Sequence, residues 1–159
     1  MGLYEVRIKY GLSQAMAASK LKVPLRTYVR YEKDNCYGND MKRAMMIKTL
    51  HDEYEITERK GLLSIEGIQK ALFQLFEEEY KGRINFCYVF GSYSKGYAKE
   101  DSDVDLCVDT DLAGLDFVGL SESIRRVLHK KIDLIRFSNL RNNIEFIKEI
   151  MKDGIKIYG

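Results

Sequence analysis

Hydrophobic positions change their spacing partway along the chain. Up to residue 80, apolar side chains recur every three or four residues, as at Leu3, Val6 and Tyr10, which is the spacing of one helix face. This spacing predicts helices over residues 3–10, 14–20, 25–32, 41–54 and 64–80. From residue 84, short runs rich in β-branched and aromatic residues predict strands over 84–90, 103–110 and 131–137, helices over 117–130 and 142–152, and an extended end over 155–158. The pattern therefore predicts an α+β fold preceded by an all-α domain.

Turn-rich and charged stretches indicate the domain boundaries. We expect an all-α domain over residues 1–55, a linker over 56–63 and an α+β domain over 64–159. Ser13 and Ser64 stand directly before helical patterns and are expected to cap those helices. We expect Met41, Met45 and Met46 to fill the core of the first domain rather than to form a binding surface.

Composition narrows the class of protein. The chain has 159 residues, of which 45% are hydrophobic and 31% charged, as is typical of a globular protein. No apolar run is long enough to cross a membrane, and the charged, helix-like first ten residues argue against a signal peptide. Cys36, Cys87 and Cys107 show no metal-binding spacing. We therefore expect a cytoplasmic protein with reduced cysteines and no membrane contact.

Charge is distributed unevenly along the chain. Residues 1–50 carry ten Lys or Arg against four Asp or Glu, whereas residues 51–159 carry sixteen against twenty. A basic first domain and an acidic second domain favour different partners. The basic domain is therefore a candidate for contact with nucleic acid.

The most informative stretch, residues 91–106, lies between the first two predicted strands. Asp103 and Asp105 stand two residues apart at the start of a strand, so their carboxylates point to the same side of the sheet. Two carboxylates held this close repel each other unless a cation lies between them. Mg²⁺ prefers carboxylate oxygens and substrate phosphates, so the pair is a candidate magnesium site.

The residues that open this stretch are suited to phosphate binding. Gly91 lets the backbone approach an anion closely, the hydroxyl of Ser92 can donate to a phosphate oxygen, and Gly96 allows the chain to turn. The alternative is a hairpin-like connection with an acidic edge that faces water. The spacing between the Gly-Ser pair and the two aspartates favours the functional interpretation.

The motif of Gly91 and Ser92, ten further residues, then Asp103 and Asp105 resembles the signature of the DNA polymerase β-like nucleotidyltransferases. It is most similar to their minimal nucleotidyltransferase (MNT) group. Lys95 stands where this group usually has Arg, which keeps the positive charge but loses bidentate geometry. The resemblance extends to Phe90, Gly96 and Ser102. It implies a small mixed β-sheet flanked by helices. The residues it implies for nucleotide binding are Gly91, Ser92, Lys95 and Gly96.

A third carboxylate, Asp133, lies in the predicted strand over 131–137. An acid within an apolar strand is costly unless it has a partner. The resemblance implies a third carboxylate on a strand beside the first pair, and Asp133 is the match. The alternative is an acid at a sheet edge that faces water. His129, Lys130 and Lys131 precede it and are expected to complement the negative end of a helix dipole.

The chemistry implied by the resemblance is transfer of a nucleoside monophosphate from ATP. Asp103, Asp105 and Asp133 would hold a two-ion Mg²⁺ site. Ser92 and the nearby backbone would bind the β- and γ-phosphates, and Asp133 would hold the second ion or act as base toward the acceptor hydroxyl.

Residues 12–32 resemble the helix-turn-helix of phage repressors of the Cro/C1 type. The resemblance implies that the helix over 25–32 enters the major groove, with Gln14 on the DNA backbone and Arg26 and Arg30 on phosphates or bases. Such modules usually dimerise on operator DNA, so a homodimer is expected. The alternative is the use of the same helices for protein contacts.

The acceptor of the nucleotide is also a matter of resemblance. Small MNT proteins are similar to antitoxins that move AMP from ATP onto a tyrosine of a HEPN-domain toxin. The resemblance therefore implies an Mg²⁺-dependent protein adenylyltransferase and antitoxin that also binds operator DNA. The alternatives are an enzyme that nucleotidylates a small molecule such as an aminoglycoside, and a transcriptional regulator whose MNT domain only senses nucleotide.

Overall fold

The protein divides into two compact units. The computed structural model describes all 159 residues, and its units are Met1–Glu55 and Ile56–Gly159. None of its helices is both long enough and apolar enough to span a membrane. The predicted α+β fold is confirmed, since a helical unit is followed by a unit with a mixed sheet.

The first unit consists of four helices. Their bounds are α1 (Leu3–Lys9), α2 (Gln14–Lys20), α3 (Leu25–Lys33) and α4 (Asp40–Tyr54). The predicted cap at Ser13 is confirmed, because its hydroxyl accepts the Met16 amide at 3.1 Å. A turn over residues 21–24 joins α2 to α3, and Pro24 stands directly before the first residue of α3.

The core of the first unit is built on aromatic and aliphatic side chains. Tyr28 and Tyr31, three residues apart on α3, are both buried in it. The expectation that three methionines fill this core is wrong for two of them. Only Met46 is buried, whereas Met41 and Met45 are 74% and 64% exposed. Residues 41 and 45 lie one turn apart on α4, so they share the helix face that points away from the core.

A buried ion pair links α1 to α3. Arg7 binds Glu32 in a bidentate manner, Nε to Oε2 at 2.8 Å and Nη2 to Oε1 at 2.9 Å. The Gln14 amide adds a third hydrogen bond at 3.0 Å. Burial by itself would raise the pKa of Glu32, but these hydrogen bonds outweigh it and hold the pKa below its usual range.

The second unit consists of four helices and a four-stranded sheet, with a short 3-10 turn at Phe137–Leu140. Its helices are α5 (Ile65–Glu79), α6 (Gly91–Lys95), α7 (Gly114–Leu128) and α8 (Ile144–Asp153). Its strands are β1 (Ile84–Phe90), β2 (Val104–Thr110), β3 (Ile132–Arg136) and β4 (Ile155–Tyr158). The sheet order is β3-β2-β1-β4, and only the β2–β3 pair is parallel.

The sheet is covered on both faces. The main core lies on one face, where α5 and α7 contribute apolar stripes such as Ile68, Leu72 and Phe76 of α5. A smaller core lies on the other face, where Cys107 of β2 contacts a cluster that includes Ile150 of α8. The predicted cap at Ser64 is confirmed, since its hydroxyl accepts the Gly67 amide at 3.0 Å.

Three local expectations differ from the structure. The chain forms the five-residue helix α6 directly after β1, where only a turn was expected. Helix α7 ends at Leu128, two residues before the predicted end, because His129 adopts a left-handed conformation with φ of 53°. Residues 56–63, expected to be a linker, belong to the second unit, where Leu63 packs against the main core.

We predict that Glu32→Gln destabilises the first unit by about 3 kcal/mol, because it leaves the Arg7 guanidinium buried without a carboxylate. The side chains of Arg7 and Glu32 are only 12% and 4% exposed. Urea unfolding of the full chain, followed by circular dichroism, measures the loss. The pKa of Glu32 is lowered, so the ion pair stabilises the protein at neutral pH and this contribution is lost as the pH falls below about 4.

The matched control is Asp40→Asn, which removes a carboxylate that is 96% exposed from the pair with Arg43. A carboxylate in contact with water contributes only about 0–1 kcal/mol to such a pair. Equal effects of the two substitutions, or a Glu32→Gln effect that persists unchanged in acid, would contradict the prediction.

Candidate active site

The candidate site lies where β1 ends and β2 begins. These strands are antiparallel, and Phe90, the last residue of β1, pairs with Asp105 of β2. Gly91, which opens α6, therefore adjoins Asp105 in space although 13 residues separate the two in sequence. The structure thus brings the Gly-Ser pair and the carboxylate pair to one end of the sheet.

The third carboxylate reaches the same place through a different strand pair. Strands β2 and β3 run parallel, and Asp105 pairs with Asp133 in register. Paired residues of parallel strands point to the same face, so the two carboxylates stand side by side. Asp103 precedes β2 by one residue, and its charge also acts on Asp105.

Gly91 has a steric role that the sequence analysis did not foresee. Its φ is +68°, and a Cβ placed on it would lie 2.1 Å from Oδ2 of Asp105. Any side chain at this position would displace the Asp105 carboxylate. Glycine is therefore required here by the neighbouring carboxylate, in addition to any approach of the backbone to phosphate.

Burial and neighbouring like charges together determine the electrostatics of the site. Burial raises the pKa of Asp105, and the carboxylates of Asp133 and Asp103 raise it further. One cation partly compensates, since Nζ of Lys131 lies 3.2 Å from Oδ2 of Asp103. That lysine is largely exposed, so the pair is only weakly stabilising.

These residues fit a divalent cation. The donors are carboxylate oxygens, the ligands that Mg²⁺ prefers, and the repulsion around Asp105 would be relieved by positive charge. No group of three or more His, Cys, Asp or Glu side chains is by itself arranged to hold a metal ion. A cation here would therefore take its remaining ligands from water and from substrate phosphates, as Mg²⁺ commonly does.

The residues predicted to bind nucleotide are not all directed to this site. Ser92 follows Gly91 in α6, and Gly96 ends that helix in a left-handed conformation. Lys95 has a different partner, because its Nζ lies 2.8 Å from Oε1 of Glu149 on α8. Binding of nucleotide by Lys95 stays a prediction, and it would require the ion pair between Lys95 and Glu149 to break.

The residues predicted to contact DNA lie in the first unit and occupy different environments. The amide nitrogen of Gln14, the group that would donate to a phosphate, is already bonded to Glu32. Arg26 is exposed on α3. Arg30 lies four residues later, with its guanidinium carbon 5.3 Å from the centre of the Tyr37 ring.

Two residues near the site were not assigned to it from the sequence. Lys130 and Lys131 were expected to complement the end of a helix, yet α7 ends before them. Lys131 contacts Asp103, and Lys130 is fully buried. The sequence could have indicated this, because both lysines directly precede the strand that carries Asp133 and so lie at the end of the sheet where the site is.

A mixed sheet that brings three carboxylates close to a Gly-Ser turn is the arrangement expected of a nucleotidyltransferase, and the chain also matches a family model of this class. Residues 70–159 match the family model described as polymerase beta, nucleotidyltransferase. The match covers more than half of the chain, which therefore belongs to this family of enzymes.

Named relatives match about 60% of the chain. Protein adenylyltransferase MntA of Thermococcus cleftensis is 45% identical over 101 residues, which are 61% of this chain and 99% of the relative. MJ1379 of Methanocaldococcus jannaschii is 26% identical over 100 residues, 60% of this chain and 96% of its own. Among solved structures, a toxin–antitoxin complex with AMP-PNP aligns at a TM-score of 0.49 and 20% identity, over 57% of this chain and 73% of that one.

We predict that Asp105→Asn raises the melting temperature of the metal-free protein at neutral pH. The pKa of Asp105 is raised, so ionising it costs stability as the pH rises, and the amide removes that cost. The gain should disappear below about pH 4, where the unfolded chain also binds the proton. Thermal unfolding over a pH series, in buffer with chelator, measures the difference.

Asp109→Asn is the matched control, because Asp109 lies on the same strand and accepts a hydrogen bond from Asn85 at 2.9 Å. It should not stabilise the protein. A melting temperature of Asp105→Asn at or below that of the wild type at neutral pH would show that the carboxylates do not repel as described.

Proposed function

We propose that the protein transfers AMP from ATP to a hydroxyl group of a protein acceptor in an Mg²⁺-dependent reaction. The observation that carries the proposal is the placement of Asp105 beside both Asp133 and Gly91. Two carboxylates in register, with a third one residue before the strand, supply the oxygen donors that nucleotidyl transfer requires.

Each residue has a distinct part in this proposal. Asp103 and Asp105 hold the cation against the nucleotide phosphates, and Ser92 donates to the β- and γ-phosphates. The bound Mg²⁺ would offset the charge of the transferring group and of the leaving pyrophosphate. Asp133 is exposed, so it can accept the proton of an incoming hydroxyl or contribute to a second ion site.

The relatives favour a protein as the acceptor. The Thermococcus relative is named a protein adenylyltransferase, and this chain matches 99% of its length. We propose that the acceptor is a tyrosine of a HEPN-domain toxin and that this protein is its antitoxin. A small-molecule acceptor is the competing proposal, and the two differ in the product that carries AMP.

We predict that Asp103→Asn and Asp105→Asn each lower kcat/KM by at least about a thousandfold, equivalent to about 4 kcal/mol of transition-state stabilisation. The carboxylates hold the cation only in their ionised form, which the amide cannot reproduce. Transfer of radiolabelled AMP from ATP to the co-encoded toxin measures the rate. Asp109→Asn, on the same strand as Asp105, should keep nearly full activity.

Mass spectrometry of the products decides the acceptor. Addition of one AMP to a toxin tyrosine supports the proposal, and AMP on an aminoglycoside instead supports the competing one. A protein that binds ATP but transfers AMP to neither would act as the nucleotide-sensing regulator.

The first unit is proposed to bind operator DNA as a dimer, with α3 in the major groove. The ion pairs of this unit use the Met1 amino group, Arg7, Lys20 and Arg43. Three other cations, Arg26, Arg30 and Lys33, are exposed on α3 at helical spacing. They can contact phosphates without breaking an ion pair. Because Gln14 is engaged by Glu32, these cations carry the proposed contact.

We predict that Arg30→Ala weakens binding to the DNA upstream of the gene and lowers the slope of log K against log salt by about 0.9, the value for one lost phosphate contact. Gel-shift titrations over a salt series measure the slope. Lys48→Ala, which removes one exposed charge from α4, is the control and should leave it unchanged. Binding that is absent in the wild type, or equally affected by both variants, would refute DNA binding through α3.

A further inference from the structure

Lys130 carries a buried charge and has no role in the proposed transfer of AMP. It is 0% exposed, less than any other charged residue of the chain. An ammonium group removed from water costs free energy unless polar partners surround it. Burial lowers the pKa of Lys130, while the charges of Glu100 and Asp101 oppose that shift. A buried lysine retained at this cost calls for a structural or functional explanation.

The partners of Lys130 are backbone carbonyls of two separate segments. Its Nζ donates to the carbonyl oxygen of Glu100 in a short hydrogen bond, and to the carbonyl oxygen of Lys60 at 3.2 Å. Lys60 forms a bridge with Thr57 just before α5. Glu100 lies in the connection between α6 and β2. Lys130 therefore ties the end of α7 to both segments at once.

The segment that contains Glu100 leads directly into Asp103 and then into β2, which carries Asp105. Residues 99–102 form a turn in which Lys99 N donates to the Ser102 hydroxyl at 2.8 Å and Ser102 N donates to the Lys99 carbonyl at 3.0 Å. Asp103 follows this turn directly. The next residue, Val104, donates its amide to the Lys131 carbonyl at 2.9 Å. Lys130 and Lys131 thus hold the segment on both sides of Asp103.

We propose that Lys130 is a positioning residue that fixes residues 97–103 and thereby sets Asp103 and Asp105 for the divalent cation. The divalent cation in this inference rests on the proposed function, whereas the contact between Lys130 and Glu100 does not. Asp103 has no strand partner of its own, since β2 begins one residue later. Without the ammonium, the Glu100 carbonyl would lose this donor, whereas the Lys60 carbonyl would keep the Thr57 amide at 2.9 Å. The turn over 99–102 would then lose its tie to the end of α7. Residues that orient metal ligands typically change metal affinity 10- to 100-fold when they are lost.

The test compares Lys130→Met with Ile124→Ala. Methionine keeps the length of the buried side chain and removes the ammonium. Ile124 is fully buried in the main core earlier on α7, so its truncation destabilises the unit while leaving the hydrogen bonds of Lys130 in place. If Lys130→Met does not fold, Lys130→Gln, which keeps a neutral donor, takes its place.

Two measurements are made on the full chain. Hydrogen exchange of residues 97–103 should be about tenfold faster in Lys130→Met and unchanged in Ile124→Ala. Mn²⁺ binding in the presence of a non-transferable ATP analogue, followed by electron paramagnetic resonance, should be about tenfold weaker in Lys130→Met alone.

The outcomes separate the two claims. Native exchange in residues 97–103 of Lys130→Met, or equal acceleration in both variants, overturns the positioning role. Unchanged Mn²⁺ affinity in Lys130→Met also overturns it. A wild-type protein that binds no Mn²⁺ with the analogue refutes the proposed function instead, while the exchange measurement still decides whether Lys130 holds the segment.

Discussion

Repulsion among three carboxylates is the constraint on which the second unit depends. Asp105 stands beside Asp133 in register, is surrounded by apolar strand neighbours and feels the charge of Asp103. A fold that only maximised its own stability would not place three acids together at the end of a sheet. In the proposed function, a cation and a nucleoside triphosphate would offset this repulsion, and binding them would stabilise the site.

The rest of the unit holds these acids in place against their repulsion. The sheet is packed on both faces, by α5 and α7 on one side and α8 on the other. Glycine at position 91 avoids a side chain that would push Asp105 away. The Lys130 ammonium binds the carbonyl of Glu100, close to where the chain enters β2. Rigid surroundings of this kind keep the ligands preorganised rather than leaving the substrate to organise them.

In the first unit, by contrast, the least exposed charges have opposite signs and form an ion pair. These charges, on Arg7 and Glu32, neutralise each other in a bidentate pair. The cations left on the surface of α3 have no such partner and remain available to an anionic molecule. One chain thus combines a basic unit whose least exposed charges are paired with an acidic unit that has unpaired carboxylates at one end of its sheet.

The helices and strands, two helix caps and the family motif could be predicted from the sequence, because each depends on residues close together along the chain. Helical and strand periodicity located most elements to within a few residues, and the caps at Ser13 and Ser64 followed from short-range hydrogen bonding. The motif from Gly91 to Asp105 indicated the family because its chemistry requires particular residues at a set distance along the chain. Alternation along β2 was enough to place Asp103 and Asp105 on one side.

What remained was decided by contacts between residues distant in sequence. The parallel register that sets Asp133 beside Asp105, the clash that requires glycine at position 91 and the pairing of Lys95 with Glu149 all join separate elements. Lys130 shows the limit most clearly. Its position beside His129 and Lys131 indicated a role at the negative end of a helix dipole, and only the folded chain brings the carbonyls of Lys60 and Glu100 to it. Local patterns report which face of an element is apolar, but burial of a charge depends on which backbone groups the tertiary fold brings to it.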